Sequence, residues 1–397
     1  MRVPSVSVVV PVYNTQPYLP ECLDSLLEQT IDAFEIICVE DGSTDGSPAI
    51  LDRYTRLDSR VRVIRRAEVD RGPGAARNDG ISRARGSYLA FVDSDDRVRP
   101  EMLESLVSAA ERHGSDVVMC TIRTFDGKEE HQTPCSHDQV IPTELDDVPF
   151  TWRALGPELF RLRFASCNKI YRREFLERRS IRFAEDQFYE DLVFTFRALL
   201  EAESLAFVRQ PLYLNRKGRE GSTTFDQSDR VFDALSSLHR LREILEGDET
   251  FAELVPSFHA FEFRKLTTYL AHNDLEHIEP FYAELKRVAS QEPLCSSPYL
   301  TVEERRIKER IAGSDLYEYL VWNSWFLQTQ NRAVHRRLAR AQAQRERFRS
   351  QVQELRAENQ WLRDVESQRT PWRRMRRRLR PIRRLAERVV TGLRGQR

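Results

Sequence analysis

Largely apolar runs alternate with amphipathic stretches over the first part of the chain. Such runs are typical of strands that are buried on both faces. Four of them occur, at residues 6–10, 34–39, 61–64 and 88–92. Between the first three, residues 17–29 and 47–57 carry apolar side chains at the 3.6-residue period of an amphipathic helix. This alternation predicts an α/β fold, in which a mostly parallel sheet is flanked by helices.

Helical periods dominate the later part of the chain. Helices are predicted at residues 232–245, 251–272, 279–289 and 302–327. The change in pattern predicts four regions: an α/β domain at 1–228, a helical domain at 229–330, a coiled-coil helix at 331–369 and a basic amphipathic tail at 370–397.

The predicted coiled coil rests on apolar residues that recur at alternating steps of three and four between Leu338 and Leu362. Asn359 occupies one of these core positions, where a polar residue fixes the register and favours two strands. We therefore expect a homodimer formed through this segment. A single amphipathic helix that packs on the body of the protein is the alternative.

The charge of the chain is unevenly distributed. The 62 basic and 62 acidic residues balance, yet residues 369–397 contain twelve arginines and one glutamate. Trp372 and apolar residues at steps of three or four accompany these arginines, which is typical of a helix lying in a membrane interface. The alternatives are a solvated, disordered tail, a binding partner other than the membrane, and non-specific binding to nucleic acid. No motif for specific nucleic-acid recognition accompanies the arginines.

The six cysteines form no CxxC pair, which indicates a reducing compartment rather than a disulfide framework or a zinc site. No stretch approaches the ~20 apolar residues that span a bilayer, and the first residues do not resemble a signal peptide. We therefore expect a cytoplasmic protein that associates peripherally with the inner face of the cell membrane through its tail.

Three carboxylates, Asp93, Asp95 and Asp96, follow the predicted strand at 88–92. In parallel sheets, ligands bind beyond the carboxyl ends of the strands. A hard divalent cation such as Mg2+ would offset the repulsion between these acids, since it prefers a few carboxylates together with phosphate oxygens. A solvated turn that caps the following helix is the alternative.

Two further segments carry candidate chemistry. Residues 71–80 are rich in glycine and include Arg77, which could hold a diphosphate, although the segment is neither a Walker A loop nor a GxGxxG motif. Glu190 and Asp191 precede a helix predicted at 192–202, where one of them could act as a general base. For residues 71–80, the alternative is an ordinary turn with an exposed arginine. For Glu190 and Asp191, the alternative is that they only stabilise the N-terminus of the helix.

Taken together, four segments resemble the family-2 glycosyltransferases of the GT-A fold, which has a Rossmann-like sheet. These segments are VSVVVPVYN (6–14), EDGSTD (40–45), GPGAARNDG (72–80) and FVDSDD (91–96). The likeness is dense over residues 1–105 and looser through Asn168 to Tyr171, Glu190 and Asp191, and residues 213–224. Glu40 stands where many members have Asp.

The resemblance implies inverting transfer of a sugar from a nucleotide-diphospho-sugar, with Mg2+ or Mn2+ as cofactor. Transferred position by position, it assigns base and ribose contacts to Pro11, Tyr13 and Asp41. It assigns the diphosphate or donor sugar to Arg77, the ribose or sugar to Asp93, and the metal to Asp95 with Asp93 beside it. Asp191 would be the catalytic base. The resemblance also includes a segment that closes over the donor phosphates, which would here contain Tyr213, Arg216, Ser222 and Thr223.

The expected donor is a UDP-sugar, and the expected acceptor is a saccharide, a polyol phosphate or a lipid-linked molecule in the synthesis of a cell-surface polymer. Two other functions are consistent with parts of the sequence. A sugar-phosphate nucleotidyltransferase also combines a metal, carboxylates and a parallel sheet. A non-catalytic, membrane-associated coiled-coil scaffold would use only the later regions.

Overall fold

The computed structural model divides the chain into two compact units, residues 1–313 and 314–397. The residues that the structure describes are 3–67, 72–127, 129–132, 137–185, 187–218, 232–272, 275–291, 294, 297–320 and 322–323. Almost all of them belong to the first unit, which contains the sheet and its helices.

A nine-stranded sheet forms the centre of the first unit, in the order β3-β2-β1-β4-β8-β6-β9-β5, with β7 paired to β6. The strands are β1 Val6–Val12, β2 Phe34–Glu40, β3 Val61–Arg65, β4 Tyr88–Phe91, β5 Arg97–Val98, β6 Val117–Phe125, β7 Glu130–Gln132, β8 Lys169–Arg172 and β9 Leu205–Arg216. The first four strands confirm the four predicted apolar runs to within two residues at each end.

The parallel half of the sheet brings the carboxyl ends of its strands to one edge. β1 pairs in parallel with β2 from Val6↔Phe34 to Val12↔Glu40, and with β4 from Val6↔Tyr88 to Val9↔Phe91. The strand β1 extends beyond the predicted run and includes Pro11. A proline is tolerated there because β4 has already ended and requires no N–H group from that residue.

The other half of the sheet corrects the expectation of a mostly parallel arrangement. β8 is antiparallel to both β4 and β6, β5 is antiparallel to β9, and β7 is antiparallel to β6. Among the described strands of this half, β6 and β9 are the pair that runs in parallel. The sheet is therefore mixed, because β8 enters it between two strands that run the opposite way.

Helices cover the sheet and continue beyond it. Those of the α/β part are α1 Leu19–Leu27, α2 Ser47–Leu57, α3 Gly72–Arg83, α4 Met102–His113, α5 His137–Val140, α6 Trp152–Leu155, α7 Arg173–Arg178 and α8 Glu190–Glu201. Those that follow are α9 Asp233–Glu246, α10 Val255–His272, α11 Leu275–Ala289 and α12 Val302–Ala312. Short 3-10 helices occur at Thr143–Leu145, Gly156–Arg161 and Glu249–Leu254.

The last described helix of this unit is shorter than the sequence pattern predicts. α12 begins with a capping box formed by Thr301 and Glu304 and ends at Ala312, with Gly313 as its C-cap. The helix predicted to run to residue 327 is therefore interrupted, although residues 316–320 are again helical. The helices α9 to α12 belong to the same compact unit as the sheet. The predicted domain boundaries at residues 228 and 330 stay predictions.

The predicted coiled coil at 331–369 and the basic tail at 370–397 lie outside the described residues. Across the described part of the chain, every helix is too short or too polar to cross a bilayer. Four cysteines are described there, and all are buried free thiols: Cys22, Cys38, Cys120 and Cys167.

Glu35, at the start of β2, joins three segments at the edge of the sheet opposite the strand ends. Its side chain, 4% exposed, accepts hydrogen bonds from Ser7 Oγ at 2.7 Å, Arg62 Nη1 at 2.6 Å and Arg85 Nη2 at 2.7 Å. Burial raises the pKa of Glu35, but the bonds from these donors lower it to about 2.

We predict that Glu35→Gln lowers the free energy of unfolding near neutral pH by about 1–3 kcal/mol, because it removes a buried, charge-assisted acceptor. The folded-state pKa is depressed, so this stabilisation is present above the unfolded pKa and is lost as pH falls towards about 2. Urea titrations at several pH values measure both effects. Asp52→Asn, which breaks the half-exposed pair with Arg65, is the control and should cost little. Equal losses for the two variants would contradict the prediction.

Candidate active site

The loops after β1 and β2 are bonded to each other at the carboxyl edge of the sheet. Asn14 Oδ1 accepts a hydrogen bond from the Thr44 backbone N–H at 2.8 Å, and the Asn14 N–H donates to Ser43 Oγ at 3.1 Å. Tyr13 stands directly before this contact and is 56% exposed. Its ring is thus presented at the end of the parallel strands.

Asp41 follows β2 and is fixed to helix α3 through Arg66. Arg66 Nη1 donates to Asp41 Oδ1 at 2.5 Å, and Arg66 Nε donates to Asp79 Oδ2 at 2.8 Å. The Arg66 side chain is only 5% exposed. Asp41 therefore has a defined orientation, with a buried cation beside it.

Arg77 links the end of β4 to the start of α8. Its Nη2 donates to Asp93 Oδ1 at 2.8 Å, and its Nη1 forms a second ion pair with Glu190. The residue is 7% exposed, and its guanidinium lies 5.3 Å from the centroid of the Phe183 ring. Burial lowers the pKa of Arg77, but the opposing effect of the charges on Asp93 and Glu190 is larger. The net shift of the pKa is therefore well upward. Both terminal nitrogens are thus held by carboxylates of the protein.

Gly74 explains how α3 comes close enough for this bridge. A Cβ atom at Gly74 would lie 2.1 Å from the backbone oxygen of Ala184 and 3.1 Å from Cγ of Glu190. Only glycine permits this approach between the helix and the segment that precedes α8. The glycine-rich segment therefore forms the first part of a closely packed helix. This structural role is separate from any role in binding a ligand.

Asp96 is buried and fixes the carboxylate cluster to β9. It accepts hydrogen bonds from Tyr213 OH at 2.7 Å, the Arg216 backbone N–H at 2.7 Å and Asn215 Nδ2 at 3.1 Å. Burial, with the charges of Asp95 and Asp93, raises the pKa of Asp96 to about 8 despite these donors. Its oxygens are engaged by the protein, so Asp96 is chiefly a structural anchor.

The chemistry of the strand end fits a divalent cation. Asp93 and Asp95 are partly exposed, in contrast to Asp96. One ligand atom each from Asp93, Asp96 and Cys167 lie within 4.8 Å of one another. Carboxylate oxygens suit Mg2+ and Mn2+, whereas a thiol suits softer metals. Because Asp96 is engaged by three donors, the assignment of the metal to Asp93 and Asp95 stays the preferred prediction.

Asp191 lies in the first turn of α8, next to the Glu190 carboxylate that binds Arg77. Burial and the charge of Glu190 raise its pKa to about 7, against the opposing charge of Arg77. A carboxyl group with such a pKa accepts a proton efficiently near neutral pH. The bridge through Arg77 also places this helix start beside the end of β4.

The turn that leads into α8 is held by α9, a contact that sequence analysis did not reveal. Tyr189, immediately before α8, adopts a left-handed conformation with φ of 60°. Asp233 Oδ2 accepts a hydrogen bond from the Phe188 N–H at 2.8 Å, and Ser237 Oγ donates to the Tyr189 carbonyl at 3.1 Å. The Tyr189 ring packs edge-on against Tyr269 at 5.5 Å. The only sequence signal was the helical period of α9.

Arg216 is engaged by the protein instead of being presented to solvent. Its Nε donates to the Asp95 carbonyl at 2.8 Å, and its Nη2 pairs with Glu21. Its guanidinium also lies 4.4 Å from the centroid of the Phe125 ring. Tyr213 is likewise buried against Asp96. Ser222 and Thr223, the other predicted members of the closing segment, lie outside the described residues.

The structure brings together some of the predicted site residues and sets others apart. Arg77 contacts both Asp93 and Glu190, and Asp191 follows Glu190 in the chain. Tyr13 and Asp41 are tied to a neighbouring part of the same edge, at the ends of β1 and β2. Pro11 lies within β1, where it pairs with Val39.

Comparison with solved structures shows the fold. The crystal structure of residues 1–349 of TarS from Staphylococcus aureus, in complex with UDP-GlcNAc, superposes with a TM-score of 0.64 and 23% identity. The match covers 82% of this chain and 92% of the TarS chain. The fold is therefore of the same mixed α/β type with flanking helices.

Sequence comparison shows the family. A model described as glycosyl transferase family 2 matches residues 7–179. The chain is 38% identical over 216 residues to EpsH of Bacillus subtilis (strain 168), covering 54% of this chain and 61% of EpsH. It is 34% identical over 233 residues to the glycosyltransferase GlyG of Streptococcus pneumoniae, covering 56% of this chain and 75% of GlyG. The chain therefore belongs to glycosyl transferase family 2.

Proposed function

We propose that the chain transfers a sugar from a UDP-sugar to a hydroxyl group of an acceptor, with inversion at the anomeric carbon. The observation that carries this proposal is the Arg77 bridge between Asp93 and Glu190. It joins the strand end where the donor would bind to the helix start that carries Asp191. Membership of the family and the UDP-GlcNAc bound to TarS support the choice of donor.

The nucleotide would lie along the ends of β1 and β2. The exposed Tyr13 ring offers a stacking surface for the base, next to Pro11. Asp41, oriented by Arg66, is suited to accept hydrogen bonds from the base or the ribose hydroxyls. Asp93, at the end of β4, would contact the ribose or the donor sugar.

Asp95, together with Asp93, would hold Mg2+ or Mn2+ next to the diphosphate. When bound, such a cation neutralises the negative charge that develops on the leaving group. Arg77 cannot readily supply that charge itself, because Asp93 and Glu190 engage both of its terminal nitrogens. We therefore assign Arg77 the role of a positioning residue that orients these two carboxylates.

Asp191 would act as the general base. Its carboxylate takes the proton of the acceptor hydroxyl while the oxygen attacks the anomeric carbon and forms the new glycosidic bond. The bond from that carbon to the phosphate oxygen breaks, and the nucleoside diphosphate leaves with the electron pair. A diphosphate is a good leaving group without protonation, so one carboxyl group suffices where a glycosidase needs two.

The acceptor would belong to a cell-surface polymer. TarS, which is 31% identical to this chain over 219 residues, is named a poly(ribitol-phosphate) β-N-acetylglucosaminyltransferase. A saccharide or a lipid-linked molecule are the other acceptor classes. Anchoring to the inner leaflet through residues 370–397 and dimerisation through residues 331–369 would bring the enzyme to such an acceptor.

We predict that Asp191→Asn lowers kcat by about 10²–10⁴-fold, because the amide cannot accept the acceptor proton. Release of nucleoside diphosphate from a UDP-sugar measures this loss, and release of pyrophosphate from a nucleoside triphosphate would instead indicate a nucleotidyltransferase. Glu201→Gln, at the other end of α8 and paired with Arg197, is the control and should retain activity. An Asp191→Asn variant as active as the wild type would exclude Asp191 as the base.

We predict that kcat/KM rises with pH and levels off above about 7. Burial and Glu190 raise the pKa of Asp191 to about 7, so this carboxyl group is protonated, and inactive as a base, below that value. Initial rates at limiting acceptor, in buffers of constant ionic strength, measure the profile. A rate that stays constant from about pH 5 to 8 would contradict the assignment.

We predict that Asp233→Ala lowers kcat about tenfold and leaves UDP affinity unchanged, since it frees the Phe188 N–H that fixes the turn before Asp191. Asp233→Asn should restore activity, because its side-chain carbonyl oxygen can accept the same bond. Steady-state kinetics and thermal melts of both variants separate positioning from unfolding. Equal loss in the two variants would indicate that the charge of Asp233, and not its hydrogen bond, matters.

A further inference from the structure

Arg163 lies beside the carboxylate cluster in the segment that leads into β8. Its Nη2 donates a hydrogen bond to Asn215 Oδ1 at 3.2 Å. The amide nitrogen of Asn215 in turn donates to both oxygens of Asp96, at 3.2 and 3.1 Å. Four residues after Arg163, Cys167 Sγ belongs to the same cluster as Asp93 and Asp96. One neutral amide thus separates the guanidinium from the end of β4.

Three other arginines that the structure describes at this edge are neutralised by carboxylates. Arg66 pairs with Asp41 and Asp79, Arg77 pairs with Asp93 and Glu190, and Arg216 pairs with Glu21. Within the described part of the chain, no carboxylate lies within 4.0 Å of the guanidinium of Arg163, and Asn215 is its hydrogen-bond partner. Arg163 is partly buried rather than fully solvated. Its charge is therefore available to a ligand.

The charge of Arg163 acts on both halves of the site. Burial is the main cause that raises the pKa of Asp191, and Arg163 is among the cations that oppose this shift. Arg163 likewise opposes the upward shift that burial causes in the pKa of Cys167, and adds to the downward shift that burial causes in Lys169. The cation therefore lies within electrostatic reach of the base and of the cluster.

We propose that Arg163 binds a phosphate oxygen of a substrate in this site, either in the diphosphate of the donor or in a phosphodiester of the acceptor. The proposal rests on the proposed function and adds a ligand contact to it. Arginine forms strong, charge-assisted bonds to phosphate, and its planar fork can engage two oxygens. Asn215 accepts a hydrogen bond from one terminal nitrogen of Arg163, and the proposed phosphate would be bound by the others.

Such a cation has a clear chemical use at this position. A leaving diphosphate gains negative charge as the sugar–oxygen bond breaks, and preorganised cations stabilise that charge in the transition state. Arg77 is engaged by two carboxylates, so it is poorly placed to contribute. If the ligand is the donor, Arg163 would add its positive charge to that of the metal ion. If the ligand is the acceptor, Arg163 would hold its phosphodiester.

The test compares the wild type with Arg163→Ala and Arg163→Lys in the full chain. Arg161→Ala is the matched control, since Arg161 lies two residues earlier, is exposed and pairs with Glu158. Isothermal titration with UDP and with UMP, each with Mn2+, probes the donor side. Titration with poly(ribitol phosphate) probes the acceptor side, and thermal melts check the folding of each variant.

We expect Arg163→Ala to weaken binding of one phosphate ligand by roughly 10- to 100-fold, with Arg163→Lys intermediate and Arg161→Ala unchanged. A loss for UDP that exceeds the loss for UMP identifies the donor diphosphate, and a loss confined to poly(ribitol phosphate) identifies the acceptor. Affinities of Arg163→Ala within about twofold of the wild type for all three ligands would overturn the proposal. Equal weakening of UDP and UMP, with the polymer unaffected, would assign the contact to the phosphate that both nucleotides carry.

These measurements distinguish a failure of the Arg163 proposal from a failure of the proposed function. If the wild type releases nucleoside diphosphate from a UDP-sugar while Arg163→Ala binds all ligands normally, only the role of Arg163 fails. If the wild type neither binds UDP nor releases nucleoside diphosphate, the proposed function fails, and the role of Arg163 fails with it.

Discussion

The buried guanidinium of Arg77 is the interaction on which the arrangement of the site depends. It bridges Asp93, at the end of a central strand, and Glu190, at the start of a helix far away in the sequence. Removing a charge from water is costly, and only well-placed opposite charges offset that cost. Two carboxylates perform this function for Arg77. Without the guanidinium, the carboxylates of Asp93, Glu190 and Asp191 would repel one another in a poorly solvated part of the protein.

A second anchor, Asp96, fixes the same strand end to β9. Asp96 accepts hydrogen bonds from the side chains of Tyr213 and Asn215 and from the Arg216 backbone, which binds β9 to the cluster. The acids after β4 thus serve different purposes, since Asp96 is structural and Asp93 and Asp95 are partly exposed. Under the proposed function, this division of roles would hold the exposed carboxylates in place before a substrate arrives, as in preorganised sites.

The parallel half of the fold was predictable from the sequence because its strands are buried on both faces and alternate with periodic helices. β1 to β4 and α2 lie close to their predicted bounds for that reason. The antiparallel entry of β8 was not predictable, since that pairing joins residues far apart in the chain and follows no local pattern. The same limit applies to Asp233, which orients the turn before α8 from a helix with an ordinary amphipathic period.

Sequence motifs predicted the chemical groups of the candidate site but not their partners in the fold. The carboxylates after β4 and the pair Glu190 and Asp191 were apparent as motifs, whereas the choice of Glu190 as the partner of Arg77 depends on the approach that Gly74 permits. Arg163 belongs to no motif, and it is distinguished only by its surroundings.

A crystal structure of the protein with UDP and Mn2+, with the metal located by its anomalous signal, tests the central claim most directly. The account predicts Mn2+ on Asp93 and Asp95 beside the diphosphate, Arg77 still bridging Asp93 and Glu190, and Asp191 free of the metal. A metal bound to Asp191, or a diphosphate bound away from the end of β4, would contradict it.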